Sequence, residues 1–281
     1  MQDKIEKIGN STIQHGKFSD RIYLMKLQRD DFPGILSKLD RMMGEKVYTK
    51  IFAKIPGWAK RGFEANGYQK EAFTPGFYNG KSDALFMAKY FSKNRGKLSP
   101  EEQETIRKVI ETARGKATQN PRIPDLPEDC SYRIIEEKDR FDVVEVYKVV
   151  FETYPFPIHD PSYILETMRD NIVYFGIWKG DRLVAVSSSE MDTESQNVEM
   201  TDFATLPEYR GHGFALFLLE KMEREMTKRG ILTSFTIARA VSFGMNITFA
   251  KMGYRFGGTL IHNTNISGSI ESMNVWYKPL S

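Results

Sequence analysis

The sequence predicts a mixed α/β (α+β) protein, with one central mixed sheet flanked by helices and a smaller half domain in front of it. Three observations predict it. From residue 131 onward, strand-like alternation and helical periodicity follow the order β-α-α-β-β-β-α-β-α-β-β, which suits a single sheet sandwiched by helices. Residues 116–130, KATQNPRIPDLPEDC, are proline-rich, lack apolar periodicity and read as a linker. Residues 1–115 hold short apolar strings that echo the second half of the later order.

In the first part, RIYLMKL at 21–27 and VYTKIFAKI at 47–55 read as strands around a helix at 31–44. Phe63-Glu64-Ala65-Asn66-Gly67-Tyr68 parallels Phe249-Ala250-Lys251-Met252-Gly253-Tyr254, and strands at 84–90 and 272–278 follow after similar gaps. Ser99-Pro100-Glu101-Glu102 starts a helix, with an N-cap, a first-turn proline and a capping-box glutamate. Its apolar face is Ile106, Val109, Ile110 and Ala113, Gly115 ends it, and it is expected to pack one domain against the other.

Beyond the linker, a strand at 131–136 leads to a helix near 139–152 whose face is Phe141, Val144, Tyr147 and Val150 or Phe151. The loop 154–161 precedes a second helix reaching about residue 170. Strands at 172–179 and 182–190 join through Lys179-Gly180-Asp181. The last elements are a strand at 231–238, a helix near 241–252 and strands near 254–262 and 271–278.

The most informative segment is 196–230. An alternating strand runs into Leu206-Pro207-Glu208-Tyr209, then Arg210-Gly211-His212-Gly213-Phe214-Ala215, then a helix with Ala215, Leu218, Leu219, Met222 and Met226 on one face. First-turn amides have no partner inside a helix, and the helix dipole makes that end positive. Two glycines let a ligand come close to the backbone, and Arg210 adds a fixed charge. The segment reads as a pyrophosphate cradle. It lacks the third glycine and distant acid of a dinucleotide fingerprint, and no Gly-Lys-Ser/Thr follows. The equivalent loop of the first part, Leu27-Gln28-Arg29-Asp30-Asp31, has no glycine and sets carboxylates where a phosphate would sit.

Composition excludes other classes. Forty Lys and Arg against 37 Asp and Glu leave a net charge of +3, which gives no case for nucleic acid or an anionic membrane. One cysteine, Cys130, leaves no internal disulfide and fits a reducing cytosol. The polar start of the chain does not read as a signal peptide, no apolar run approaches a membrane span, and a cytoplasmic location is expected. No metal is expected.

Arg-x-x-Gly-x-Ala after a strand and Leu-Pro-Glu-Tyr resembles the acetyl-CoA signature of the GNAT acetyltransferase superfamily, and the element order matches that fold. Over essentially its full length the chain also resembles the β-lysine N-acetyltransferase family. The likeness is carried by EMTDFATLPEYRGHG and SFTIARAVSFGMNITFAKMGYRFGGTLIHNTNISGSIESMNVWYK. The resemblance implies a catalytic GNAT domain at 131–281, a degenerate GNAT-like domain without a CoA site at 1–115, and acetyl-CoA as cosubstrate. It also implies transfer to the terminal (ε) amine of β-lysine, giving the compatible solute Nε-acetyl-β-lysine.

By the same resemblance Glu199, five positions before Ala204, is the general base. The backbone of Phe203, Ala204 and Thr205 aligns the pantetheine arm on a strand that carries a bulge in this family. Asn246 contacts the cofactor, while Tyr154, Glu190, Asp202 and Arg239 border the acceptor, Arg239 for a carboxylate and the acids for ammonium groups. Phe249 stands where many members carry the tyrosine that protonates the leaving thiolate, and Tyr254 or Ser242 are the other hydroxyls at hand. The remaining readings are another amine acceptor, such as a polyamine, an aminoglycoside or a protein lysine, and a non-catalytic acetyl-CoA sensor. The partner is a small diamino acid, and a homodimer is compatible with the chain.

Overall fold

Thirteen strands form one sheet, in the order β1-β2-β3-β4-β6-β5-β12-β13-β11-β10-β9-β8-β7, in a computed structural model that describes residues 3–118 and 120–280. The first half comprises β1 (Lys4–Ile8), β2 (Ser11–Gly16), β3 (Arg21–Lys26), α1 (Gly34–Lys46), β4 (Lys50–Pro56), α2 (Lys60–Ala65), β5 (Gln69–Tyr78) and β6 (Ser82–Tyr90). Helix α3 (Pro100–Gly115) follows, with the Ser99–Glu102 capping box formed in both directions. The second half comprises β7 (Cys130–Ile134), α4 (Arg140–Val150), α5 (Pro161–Asp170), β8 (Ile172–Lys179), β9 (Arg182–Asp192), β10 (Asn197–Thr205), α6 (Phe214–Lys228), β11 (Thr233–Arg239), α7 (Phe243–Lys251), β12 (Arg255–Ile266) and β13 (Ser269–Pro279).

The two halves share a topology. In the first, β2 is antiparallel to β3, β3 parallel to β4, and β4 antiparallel to β6 of the β5–β6 hairpin. In the second, β9, β10, β11, β13 and β12 repeat that order and those directions. The halves join at β5 and β12, where Gly258 pairs with Ala72. A Cβ at Gly258, which has a φ of +141°, would strike the Glu71 carbonyl and the Ala72 Cα, and one at Gly257 would strike the Phe73 carbonyl. Beside this seam, Lys50 and Glu71 form a buried ion pair at 2.9 Å. Lys50 also donates to the Ile261 carbonyl (2.7 Å), and Glu71 accepts from the Ile261 amide (2.8 Å) and the Tyr90 hydroxyl. Burial drags the Lys50 ammonium down to about 8 against the pull of Glu71.

Each half packs one sheet face against its own helices. The other faces turn toward each other around Tyr23, Phe52, Phe77, Phe86, Phe235 and Val275. The period of two then decides where each side chain goes. On β3 and β4, Ile22, Leu24, Ile51, Ala53 and Ile55 enter the helix-side core. Arg21, Tyr23, Phe52 and Lys54 therefore face the second half. On β10, Val198 and Met200 enter the helix-side core, which turns Glu199 and Thr201 toward the first half.

Some expectations change. Strands β1, β2 and β5 were not anticipated: β2 buries Ser11, Gln14 and His15 beside a single apolar residue, Ile13, and β5 contains Pro75-Gly76. Phe141 is exposed, with Val143 and Val146 buried in its place on α4, and Phe214 rather than Ala215 opens the buried face of α6. Beyond the strand expected near 254–262, β12 continues to Ile266, and residues 267–268 turn the long β12–β13 hairpin. Helix α3 packs on α7. Because Gly258 has neither room nor a permissive φ for a side chain, Gly258→Ala is expected to cost at least roughly 1–3 kcal/mol. An unchanged urea midpoint would contradict the role of this seam.

Candidate active site

Strand β10 runs parallel to β11 only from Asn197 to Glu199, opposite Thr233 to Phe235. Farther on, β11 stays paired to β13 as far as Arg239 and β10 to β9 as far as Thr205, so the two strands part. A bulge between Thr201 and Ala204, with Asp202 at a φ of +55°, bends β10 at the fork. Past the bulge that holds Phe203, the residues Ala204 and Thr205 thus have a ladder partner on one side and an open edge on the other, the geometry that takes an added extended strand.

The fork leads to the amino end of α6. No side chain caps this helix, Gly211 and Gly213 hold φ values of +87° and +77°, and among the described residues no protein acceptor takes the amides of Gly211 to Phe214. Arg210 and His212 are exposed beside it, steadied by bonds to the Thr205 (3.3 Å) and Tyr209 (3.1 Å) carbonyls. Phe214 is buried and anchors the first turn, while Ala215 is half-buried behind it. An uncapped helix end of this kind attracts negative charge.

From the fork a cavity runs between the halves. Its nearer part is lined by Tyr154, Asp202, Phe203, Ser242, Met245 and Phe249, and its deeper part by Arg21, Tyr23, Lys54, Glu190, Glu199 and Asp202. Glu190 and Glu199 lie directly opposite each other on β9 and β10, and no protein group donates a hydrogen bond to either among the described residues. Burial pushes the Glu199 carboxyl up to about 8, with Glu190 adding to the rise and Lys54 opposing it. Glu190 is raised too, mainly by burial. Asp202 is raised by burial and restrained by hydroxyl donors: Ser188 (2.6 Å), Tyr154 and Thr201. Burial works against the Lys54 ammonium, but Tyr23, Glu199, Tyr78 and Glu190 outweigh it and hold Lys54 above the usual lysine range.

Comparison with known proteins agrees with this geometry. Residues 143–254 match the model of the Acetyltransferase (GNAT) family. The chain is 42% identical to the β-lysine N(6)-acetyltransferase of Methanococcus maripaludis over 98% of both chains. It is 37% identical to the N-acetyltransferase YodP of Bacillus subtilis over 96% of both. It is also 32% identical to the β-lysine N(6)-acetyltransferase of Methanosarcina mazei, over 89% of this chain and 98% of that one. The chain belongs to the GNAT acetyltransferase family. The acetyltransferase has residues that fit acetyl-CoA: an uncapped helix mouth with Arg210 for the diphosphate, and the open edge of β10 for the amide-bearing arm. Among the described residues no His, Cys, Asp or Glu cluster could hold a metal, and no helix is long and apolar enough to cross a membrane.

Two expected contacts of this acetyltransferase are already spent elsewhere. Asn246 is fully buried, and its Nδ2 donates to the carbonyls of Arg239 (3.0 Å) and Ser242 (2.7 Å). Its Oδ1 accepts from Asn274 (2.9 Å) and Trp276 (2.8 Å), so the amide pins α7 to the sheet and has nothing left for a cofactor. Arg239 is locked to Glu271 by two hydrogen bonds of 2.8 and 2.5 Å, which neutralises the charge expected to meet a carboxylate. The Tyr254 hydroxyl is buried and 2.6 Å from Ser234, whereas Ser242 lines the near cavity as the N-cap of α7. Phe249 is buried edge-on to Phe203 and supplies no proton. Sequence reasoning missed Arg21, Tyr23 and Lys54, although the alternation RIYLM and KIFAK already put them on the faces opposite the apolar residues.

At Gly213 a Cβ would meet both a left-handed backbone and the Pro124 Cγ 2.5 Å away. Gly213→Ala is expected to lower stability by about 1–2 kcal/mol and to weaken coenzyme A binding in calorimetry. Unaltered affinity would show that the α6 mouth does not hold the diphosphate.

Proposed function

We propose that this enzyme transfers the acetyl group of acetyl-CoA to the terminal (ε) amine of β-lysine. The observation that carries the reading is the cavity itself, which leads from the β10–β11 fork to a wall of unpaired carboxylates. Full-length likeness to two β-lysine N(6)-acetyltransferases supports the choice of amine. A primary amine has a pKa of about 10.4 and enters as ammonium, so it must lose a proton before it can attack. Acetyl-CoA, when bound, supplies the thioester carbon that the amine attacks.

In this reading Glu199 takes the ammonium proton. Its raised basicity lets it accept that proton near neutral pH, where an ordinary glutamate would be too weak a base. Glu190 and Asp202 hold the amino groups of the substrate, and Tyr154 orients Asp202. Phe203, Ala204 and Thr205 align the cofactor arm, while Arg210 and the peptide groups from Gly211 to Ala215, His212 included, bind the diphosphate. Acetylation removes one positive charge, and the product keeps one ammonium and one carboxylate, as a compatible solute needs. The two cations lining the cavity, Arg21 and Lys54, disfavour a polyamine acceptor. The first half, residues 1–115, serves as a degenerate GNAT-like domain. Its equivalent of the α6 mouth is Gln28 followed by Arg29–Asp31, where Asp31 bonds back to the Asn10 and Ser11 amides (2.9 and 2.7 Å).

Thiol release from acetyl-CoA with 3,6-diaminohexanoate, and mass spectrometry placing the acetyl group on N6, test the assignment. Release with spermidine and none with the diamino acid would refute it. With Glu199 as base, kcat/KM rises with pH through about 8 and then levels off. Glu199→Gln is expected to erase that inflection and lower turnover roughly 10²-fold while coenzyme A binding persists.

The same group affects stability. Its folded pKa lies above the unfolded one, so the folded chain binds the extra proton between about 4.5 and 8. Stability therefore falls as pH rises through that window and then flattens. Urea titrations at pH 5 and pH 8 are expected to show a smaller loss for Glu199→Gln than for the unaltered chain.

A further inference from the structure

The acid wall of the cavity accounts for the two amino groups of a diamino acid but not for its carboxylate. The expected partner, Arg239, is held by Glu271. Two other cations line the deep cavity, and both come from the half that has no cofactor mouth: Arg21 at the start of β3 and Lys54 near the end of β4. Neither forms an ion pair with a carboxylate among the described residues.

Arg21 is only 3% exposed. Its guanidinium donates to neutral acceptors alone, the Asn263 carbonyl (2.6 Å) and the Gln14 side chain (3.3 Å), and its Nε has no partner. It lies 5.2 Å from the Tyr23 ring centre and 5.7 Å from that of Phe52. Lys54 lies 5.3 and 5.4 Å from the Phe77 and Phe235 ring centres. Arg21 is buried with neutral acceptors only, and Lys54 beside it is held charged by Glu199 and Glu190 across the cavity without a direct ion pair. An anion entering between the two cations would complete both. An arginine beside open cavity suits a carboxylate best.

Resting on the acceptor reading above, we infer that Arg21 and Lys54 form the carboxylate subsite of the acceptor pocket, so that the first half selects amino acids over plain amines. The ε-amine then lies between the fork and Glu199, the second ammonium meets Glu190, and the carboxylate lies against β3 and β4. Three carboxylates and two cations surround a substrate with two ammonium groups and one carboxylate, so both signs of charge find partners. The fused first half would thus be part of the active site, which a lone second half would leave open on this side.

The test compares acetylation of 3,6-diaminohexanoate with that of 1,4-diaminopentane, the same diamine without its carboxylate. The unaltered enzyme is expected to prefer the diamino acid at least tenfold in kcat/KM. Lys54→Met and Arg21→Met are each expected to shrink that preference roughly tenfold or more, chiefly by raising KM for the diamino acid. Coenzyme A binding, measured by calorimetry, checks that each variant is folded. Should Arg21→Met fail that check, because Arg21 also bonds the β12 backbone, Lys54→Met decides alone. A preference kept intact in a folded variant overturns the subsite and leaves the acceptor assignment standing. An unaltered enzyme that does not turn over the diamino acid removes both.

Discussion

The close approach of β5 to β12 governs this molecule. Two backbones meet at Gly257 and Gly258 with no space for a Cβ, and a buried Lys50–Glu71 pair with hydrogen bonds to Ile261 closes the same seam. The ion pair alone is poor evidence of net stability, since desolvating both charges offsets their attraction. What it does is fix register: only one alignment of the two half-sheets satisfies Lys50, Glu71 and the Ile261 peptide together. The uncovered faces of the halves are then forced together, and charged residues that a free sheet would offer to water become the walls of a cavity.

The bulge in β10 works within that frame. By lifting Asp202 into a left-handed conformation it breaks the ladder where β10 and β11 begin to part, leaving backbone groups of both strands free for a ligand. Burial of polar backbone without a partner is unfavourable, so such a fork persists only beside something that satisfies it. In the regular ladder just before the bend Glu199 and Glu190 stand face to face, and their mutual repulsion joins desolvation in raising Glu199.

Much of this was legible in the sequence. The β-α-α-β-β-β-α-β-α-β-β order, the Gly211 and Gly213 mouth and the amphipathic run of α6 depend on local periodicity and backbone freedom, which residues near in sequence express directly. Strands β2 and β5 were not legible, because their pattern is polar or broken by Pro75-Gly76, and long-range hydrogen bonds such as Asn197 to the Phe77 carbonyl (3.2 Å) hold them instead. Asn246 and Arg239 were misjudged for a related reason. A polar side chain near a site gives no local sign of whether its bonding capacity is already used by residues such as Asn274, Trp276 or Glu271.

Sequence by itself determined the fold class, the glycine-flanked start of α6 and the acid-bearing strand, all set by interactions within a few residues or along one strand. Only the tertiary structure decided that Arg21 and Lys54, about 170 and 140 residues from Glu190 in the chain, share its cavity. The physical reason is that alternation tells which face of a strand a side chain occupies but not what that face meets. What it meets was settled by the seam between the two halves.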